Sequence, residues 1–252
     1  ILGVAVYWLC WRDLGETSAP SGNSLLRQFA EYPELLRSRR FWGYALTAAL
    51  SSGTFFAFLG GAPFVGTEIF DLTPMVLGLY FGITAVGYIV GNYISGRYSV
   101  RLGIDRMIVY GIAIVAVGLG LCFIIQALGA THPLAFFIFM TSVGTGNGLV
   151  MPNATSGMLS VRPHLAGTAS GLGGAIMIGG GAALSALAGA VLTAEHGALQ
   201  LVGIMLASSL AAIPAMLYVR PLYTSDAADV LLSLGAGCPL ISKTQKILTL
   251  SL

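Results

Sequence analysis

Lysine is absent from the first 223 residues, and acidic and basic residues together make up only 9% of the chain. A soluble domain carries about 25% charged residues because its surface must be wetted, so this composition excludes a soluble globular protein. Cysteine is scarce as well. Cys10 and Cys122 lie in apolar segments and Cys238 near the end, which leaves neither a disulfide framework nor a metal site. The three histidines, His132, His164 and His196, fall in loops on opposite sides of the apolar segments and cannot converge on a metal. Inside the long apolar runs there is no Asp, Glu, Lys or Arg. Buried charges in a membrane span usually mark ion or proton pathways. Their absence leaves these spans without a proton-carrying carboxylate and without the paired acids an intramembrane hydrolase would need. No catalytic residue and no cofactor site is expected, and the chain does not read as an enzyme.

What is present is apolar. Hydrophobic residues make up 56% of the chain, and the mean hydropathy is +0.85. Six apolar runs lie at about 41–65, 75–95, 107–127, 134–157, 167–192 and 199–219. Each is about 20 residues or more, enough for a helix to cross a hydrocarbon core of roughly 30 Å. Only helices and closed barrels span lipid, and period-two alternation is absent. The expected fold is an all-α polytopic membrane protein with a six-helix transmembrane bundle over 41–220.

The few basic residues fix its orientation. Arg12, Arg27, Arg37, Arg39 and Arg40 precede the first run, and Arg97, Arg101 and Arg106 separate the second from the third. Arg162 separates the fourth from the fifth, and Arg220 follows the sixth. The alternate loops hold only Glu68, Asp71, His132, Glu195 and His196. Short cytoplasmic loops retain Lys and Arg, so 12–40, 97–106, 158–166 and the C-terminus are expected in the cytoplasm. The net charge of +2 follows membrane sidedness and implies no nucleic-acid partner. Trp42 and Tyr44, beside Arg39 and Arg40, suit the headgroup level.

The two ends differ from the body. Residues 1–11 read as the end of a transmembrane helix whose beginning is missing, because Arg12 and Asp13 follow only about half a span. Residues 12–40 read as a central loop with linker composition at 18–23 and a short amphipathic segment around Leu25, Leu26 and Phe29. All ten Arg precede residue 224, whereas Lys243 and Lys246 follow it. The stretch Leu222-Tyr223-Thr224-Ser225-Asp226-Ala227-Ala228-Asp229 is similar to a translation product of sequencing-adapter DNA. Residues 221–252 are therefore expected to be a non-native or disordered tail.

Uncharged polarity is placed with a pattern. Tyr80, Thr84, Tyr88, Asn92 and Ser95 recur every three or four residues in the second run, on one helix face. Tyr44, Thr47, Ser51 and Thr54 do the same in the first, near Phe55 and Phe58, and the fourth carries Thr141, Thr145, Asn147 and Asn153. Two readings fit these stripes. They line a pathway for an amphipathic solute, with Phe55, Phe58, Tyr80, Thr84, Tyr88, Asn92 and Asn147 as contacts, or they are interhelical hydrogen-bond glue worth about 0.6 kcal/mol each. The third and sixth runs are more apolar and are expected to face lipid. Seven glycines between Gly167 and Gly181 suggest close helix packing in the fifth.

Several stretches resemble the major facilitator superfamily, and within it the Bcr/CflA group of drug-efflux transporters. Gly96, Arg101 and Gly103 in the second-to-third loop match the Gly-x-x-x-Asp-Arg-x-Gly cytoplasmic motif, although Val100 replaces its acid. Met151-Pro152-Asn153-Ala154-Thr155 and Ala166-Gly167-Thr168-Ala169-Ser170-Gly171-Leu172 resemble the group's Pro-Asn-Ala and Ala-Gly-Thr-Ala-Ser signatures. Arg39 to Ala45 and Gly61 to Val65 fit the same pattern. Pro152, Asn153, Gly167 and Thr168 are expected to shape helix ends. The resemblance implies the C-terminal half of a twelve-helix transporter of the bacterial inner membrane. That transporter would export a small amphipathic drug-like substrate by alternating access, driven by protons whose binding acid lies in the other half. A metabolite transporter of the same fold and a non-transporting membrane scaffold are the alternatives.

Overall fold

The computed structural model of the chain describes residues 2–13, 32–129, 132–193 and 195–219. The amphipathic segment expected near Leu25, Arg27, Arg220 and the tail 221–252 lie outside the described residues. Helix α1 covers Leu2–Asp13, with exposed side chains including Trp8 and Trp11. Six long helices follow: α2 (Arg39–Phe64), α3 (Pro74–Leu102), α4 (Ile104–Ala127), α5 (Pro133–Val161), α6 (Ala166–Val191) and α7 (Gly197–Leu217). A π-helical turn, Val65–Ile69, prolongs α2, and a 3-10 turn, Pro163–Leu165, precedes α6. All six are long and apolar enough to cross a membrane, and no strand occurs among the described residues.

Each expected run is one helix, and local chemistry sets its ends. Ser38 caps α2 by accepting the Phe41 N–H at 3.3 Å. Thr73-Pro74 and His132-Pro133 start α3 and α5, each with an extended cap residue and a proline in the first turn. At 1.5 Å per residue the 29 residues of α3 reach about 43 Å, past the apolar core and into the basic segment. The loop expected over 97–106 is consequently almost wholly helical: Arg97 and Arg101 sit in the last turns of α3, and Arg106 in the first turn of α4. Only Gly103 lies between them, at φ +84° and ψ 149°, a region open essentially to glycine alone.

The strongest helix pairings are α3 with α5, α2 with α6, α4 with α5 and α2 with α7. Exchanging α2, α3 and α4 for α5, α6 and α7 converts α3–α5 into α2–α6, and α4–α5 into α2–α7. The bundle therefore consists of two three-helix repeats. An odd number of spans inverts the second repeat relative to the first, which puts the pseudo-twofold axis across the helices. Helices α2 and α5 occupy the centre. The consecutive helices α2 and α3 both lean on α5, and their own backbones do not run close together.

The tightest approach is α3 against α5, and glycine permits it. A Cβ on Gly87 or Gly91 would collide with the carbonyls of Thr141 or Thr145, and one on Gly144 with that of Thr84. The buried face of α3 is Leu77, Thr84, Gly87, Gly91 and Ser95, while its bulky apolar residues point outward. In the glycine-rich α6, by contrast, Gly167, Gly171, Gly174 and Gly179 adjoin open space. Close packing by glycine belongs mainly to α3 and α5, because α6 is the least buried of the six.

Two apolar clusters are stacked along the helix axes. One contains Phe58, Leu119, Phe136, Phe137 and Met205, the other Phe41, Tyr44, Ile108, Met158 and Met216. Polar side chains in and beside the waist between them bond across helices. Ser52 donates to the Met177 carbonyl at 3.1 Å, Ser208 to the Leu50 carbonyl at 2.8 Å and Thr54 to the Met205 carbonyl at 3.4 Å. Beyond the second cluster a helical turn over 32–36 docks on the bundle. Leu35 is fully buried, Glu34 pairs with Arg162 at 3.0 Å, and Trp42 Nε1 donates to the Leu36 carbonyl at 2.8 Å.

Candidate functional site

Because α2 and α3 diverge while both rest on α5, a groove of about 480 Å³ opens between them. Its walls are Phe55, Phe58 and Leu59 from α2, and Phe81, Gly82, Thr84, Ala85, Tyr88 and Ile89 from α3. Phe55 and Tyr88 stack across it, with centroids 6.4 Å apart and planes at 25°. Phe58 and Phe81 meet deeper in, 5.0 Å apart. None of the lining side chains is an acid, a base or a histidine. Thr84 is buried, and its hydroxyl has no hydrogen-bond partner among the described residues. A surface of this kind has aromatic area to offer an apolar ring and no fixed charge to hold an ion.

Four of the seven residues expected to contact a solute meet here: Phe55, Phe58, Thr84 and Tyr88. Tyr80 turns away and stacks on Phe137 at 4.6 Å. Asn147 is buried in α5, where its amide donates to the Val143 carbonyl at 3.1 Å. Asn92, one turn beyond Tyr88, lines a different cavity. The stripe Tyr44, Thr47, Ser51 and Thr54 on α2 is buried inside the bundle rather than in the groove.

That second cavity, about 400 Å³, lies between α3, α4 and α5. Asn92, Ser95, Gly96, Ser99 and Val100 line it from α3, Ile104 from α4, and Pro152, Asn153 and Ser156 from α5. Three residues of the motif positions, Gly96, Pro152 and Asn153, therefore share one cavity, while Gly103 ends α3 beside it. Arg101 is exposed in the last turn of α3, and Gly167 and Thr168 lie in the first turn of α6.

Sequence reasoning missed Phe81, Ala85 and Ile89. They follow each other at i, i+4 on the flank of the polar stripe, but an apolar residue in an apolar span carries no signal of its own. It also missed Asp105, whose carboxylate accepts the Tyr44 hydroxyl at 2.7 Å and ties α4 to α2. Among the described residues no group of His, Cys, Asp and Glu could hold a metal ion.

The sequence profile of the Major Facilitator Superfamily matches residues 1–186. The uncharacterized MFS-type transporter YdgK of Bacillus subtilis is 32% identical over 158 residues, covering 62% of this chain and 38% of that protein. A bicyclomycin resistance protein homolog of Haemophilus influenzae is 25% identical over 158 residues, covering 61% of this chain and 38% of that protein. The chain thus spans about 38% of the length of the curated relatives it matches.

Proposed function

The chain belongs to the Major Facilitator Superfamily, and on that premise we propose that it is the C-terminal six-helix bundle of a multidrug efflux transporter. Residues 1–11 would then end helix 6 of twelve, 12–40 would join the halves, and 41–220 would supply helices 7–12. The observation that carries the reading is the uncharged aromatic groove between α2 and α3. An anionic metabolite would need a cationic side chain beside it, whereas an amphipathic drug-like molecule needs apolar area and a few uncharged polar contacts. The name of the Haemophilus influenzae relative favours the same class of solute.

Transport in this proposal is alternating access: the two halves rock about a site near the bilayer midplane, with no covalent chemistry. The exchange is with protons. The titrating acid in this proposal belongs to the N-terminal half, as the family resemblance implies. In this proposal the basic ends of α2, α3 and α5 face the cytoplasm of a bacterial cell.

The test uses inside-out inner-membrane vesicles containing the intact transporter. An acid interior should drive accumulation of a fluorescent aromatic solute, and a protonophore should abolish it. If no neutral or cationic aromatic compound accumulates above the level of empty-vector vesicles, the efflux reading is wrong.

A further inference from the structure

We propose that the cavity between α3, α4 and α5 is a second solute subsite, one that takes the uncharged hydrogen-bonding head of a molecule whose aromatic body occupies the groove between α2 and α3. This inference rests on the transporter reading above and names the substrate more narrowly: a neutral aromatic compound carrying hydroxyl or amide donors.

The two cavities follow one another on a single helix. The α3 residues from Phe81 to Ile89 line the first, and those from Asn92 to Val100 line the second. Tyr88 and Asn92 are one turn apart, about 6 Å along the axis, and the Asn92 amide donates to the Tyr88 carbonyl at 2.8 Å. An extended solute lying along α3 therefore meets an aromatic wall and then an amide and hydroxyl wall.

The second cavity is built for accepting hydrogen bonds. Asn153 is only 2% exposed. Its Nδ2 donates to the Ser95 hydroxyl at 2.8 Å and to the Leu149 carbonyl at 2.7 Å. A backbone carbonyl can only accept, so the atom facing Leu149 must be the amino group, and this fixes the amide orientation. The Asn153 oxygen is then the remaining acceptor, and it takes no hydrogen bond from the described residues. The same logic holds for Asn92, whose amino group faces the Tyr88 carbonyl. Neither oxygen is among the buried polar atoms left without a partner; both are accessible, and each can accept a donor from whatever fills the space. A cation would find no carboxylate among the lining residues to offset its lost hydration, which leaves neutral donors.

Room is available. A water molecule takes roughly 30 Å³, so a cavity of about 400 Å³ holds far more than one bridging water. A Cβ added at Gly96 would meet nothing within 4 Å, so the α3 wall of the cavity is open at that point.

The experiment compares two probes, N-(2-naphthylmethyl)glyceramide and 2-ethylnaphthalene, by equilibrium binding to the purified full-length protein in lipid nanodiscs. Wild type should bind the glyceramide at least about tenfold more tightly, as expected for one or two satisfied hydrogen bonds. Gly96→Leu adds bulk at a wall position where a Cβ meets nothing within 4 Å, and Ser156→Ala removes a lining hydroxyl. Each should weaken glyceramide binding while leaving 2-ethylnaphthalene unchanged. Equal effects on both probes, or no effect on either, would overturn the subsite while leaving the efflux reading intact. If wild type binds neither probe, the subsite is overturned, and the vesicle accumulation assay decides the efflux reading separately.

Discussion

Tyr88 and Thr47 illustrate how much a polar residue in an apolar span leaves open. Both belong to a three-to-four-residue stripe, yet Thr47 is fully buried and Tyr88 stands 41% exposed at a groove. The difference lies in which helix faces them. The Tyr88 ring stacks on Phe55, and aromatic pairs are worth about 0.5–1.5 kcal/mol beyond area. An aromatic solute stacking on the same ring would gain a similar amount, so Tyr88→Ala in the full-length transporter should lower drug resistance by about three- to tenfold at unchanged membrane abundance. Measuring resistance and abundance together decides the point. A parallel loss of both would make Tyr88 a packing residue.

Between α3 and α5 the glycines set how close two helices can come. Gly91 faces the Thr145 carbonyl directly, so a leucine there must push α5 away or bend α3. Overpacking of this kind costs about 1–3 kcal/mol or more, and Gly91→Leu should lower the melting temperature of the purified protein by several degrees. Gly174→Leu on α6 is the matched control. A Cβ there meets open space, and replacing a helical glycine removes backbone entropy from the unfolded chain, so stability should hold or rise. Equal destabilisation by both would show that packing along α6 is as close as along α3. The same contrast explains why glycine counts alone mislead: α6 has more glycines than α3, but α3 has the ones that touch a backbone.

For the whole molecule the decisive question is sidedness. Val100 and Leu128 are 94% and 82% exposed and lie just outside opposite ends of α4, whose 24 residues span about 36 Å. In a background with Cys10, Cys122 and Cys238 replaced, Val100→Cys should react with a membrane-impermeant maleimide only in inside-out vesicles. Leu128→Cys should react only in right-side-out ones. Labelling of both from one side would refute the orientation assigned from the arginines.

The sequence by itself determined the solvent, the number of spans and their helical form. Apolar length, the absence of interior charge and the lack of period-two alternation are one-dimensional properties, and lipid leaves the backbone only helices or closed barrels. It also singled out Phe55, Phe58, Thr84 and Tyr88, which the fold brings to one groove, because uncharged polar and aromatic residues stand out against aliphatic ones. Tertiary structure alone decided which of these face a groove and which face another helix. In a membrane the buried and lipid-facing sides of a helix are equally apolar, so hydropathy cannot tell them apart. It also decided that α2 and α3 diverge over α5, that Asp105 reaches Tyr44 across 61 residues, and that Asn92 and Asn153 share a cavity. Those facts depend on helix crossings set by glycine contacts distant in the chain, which no local pattern records.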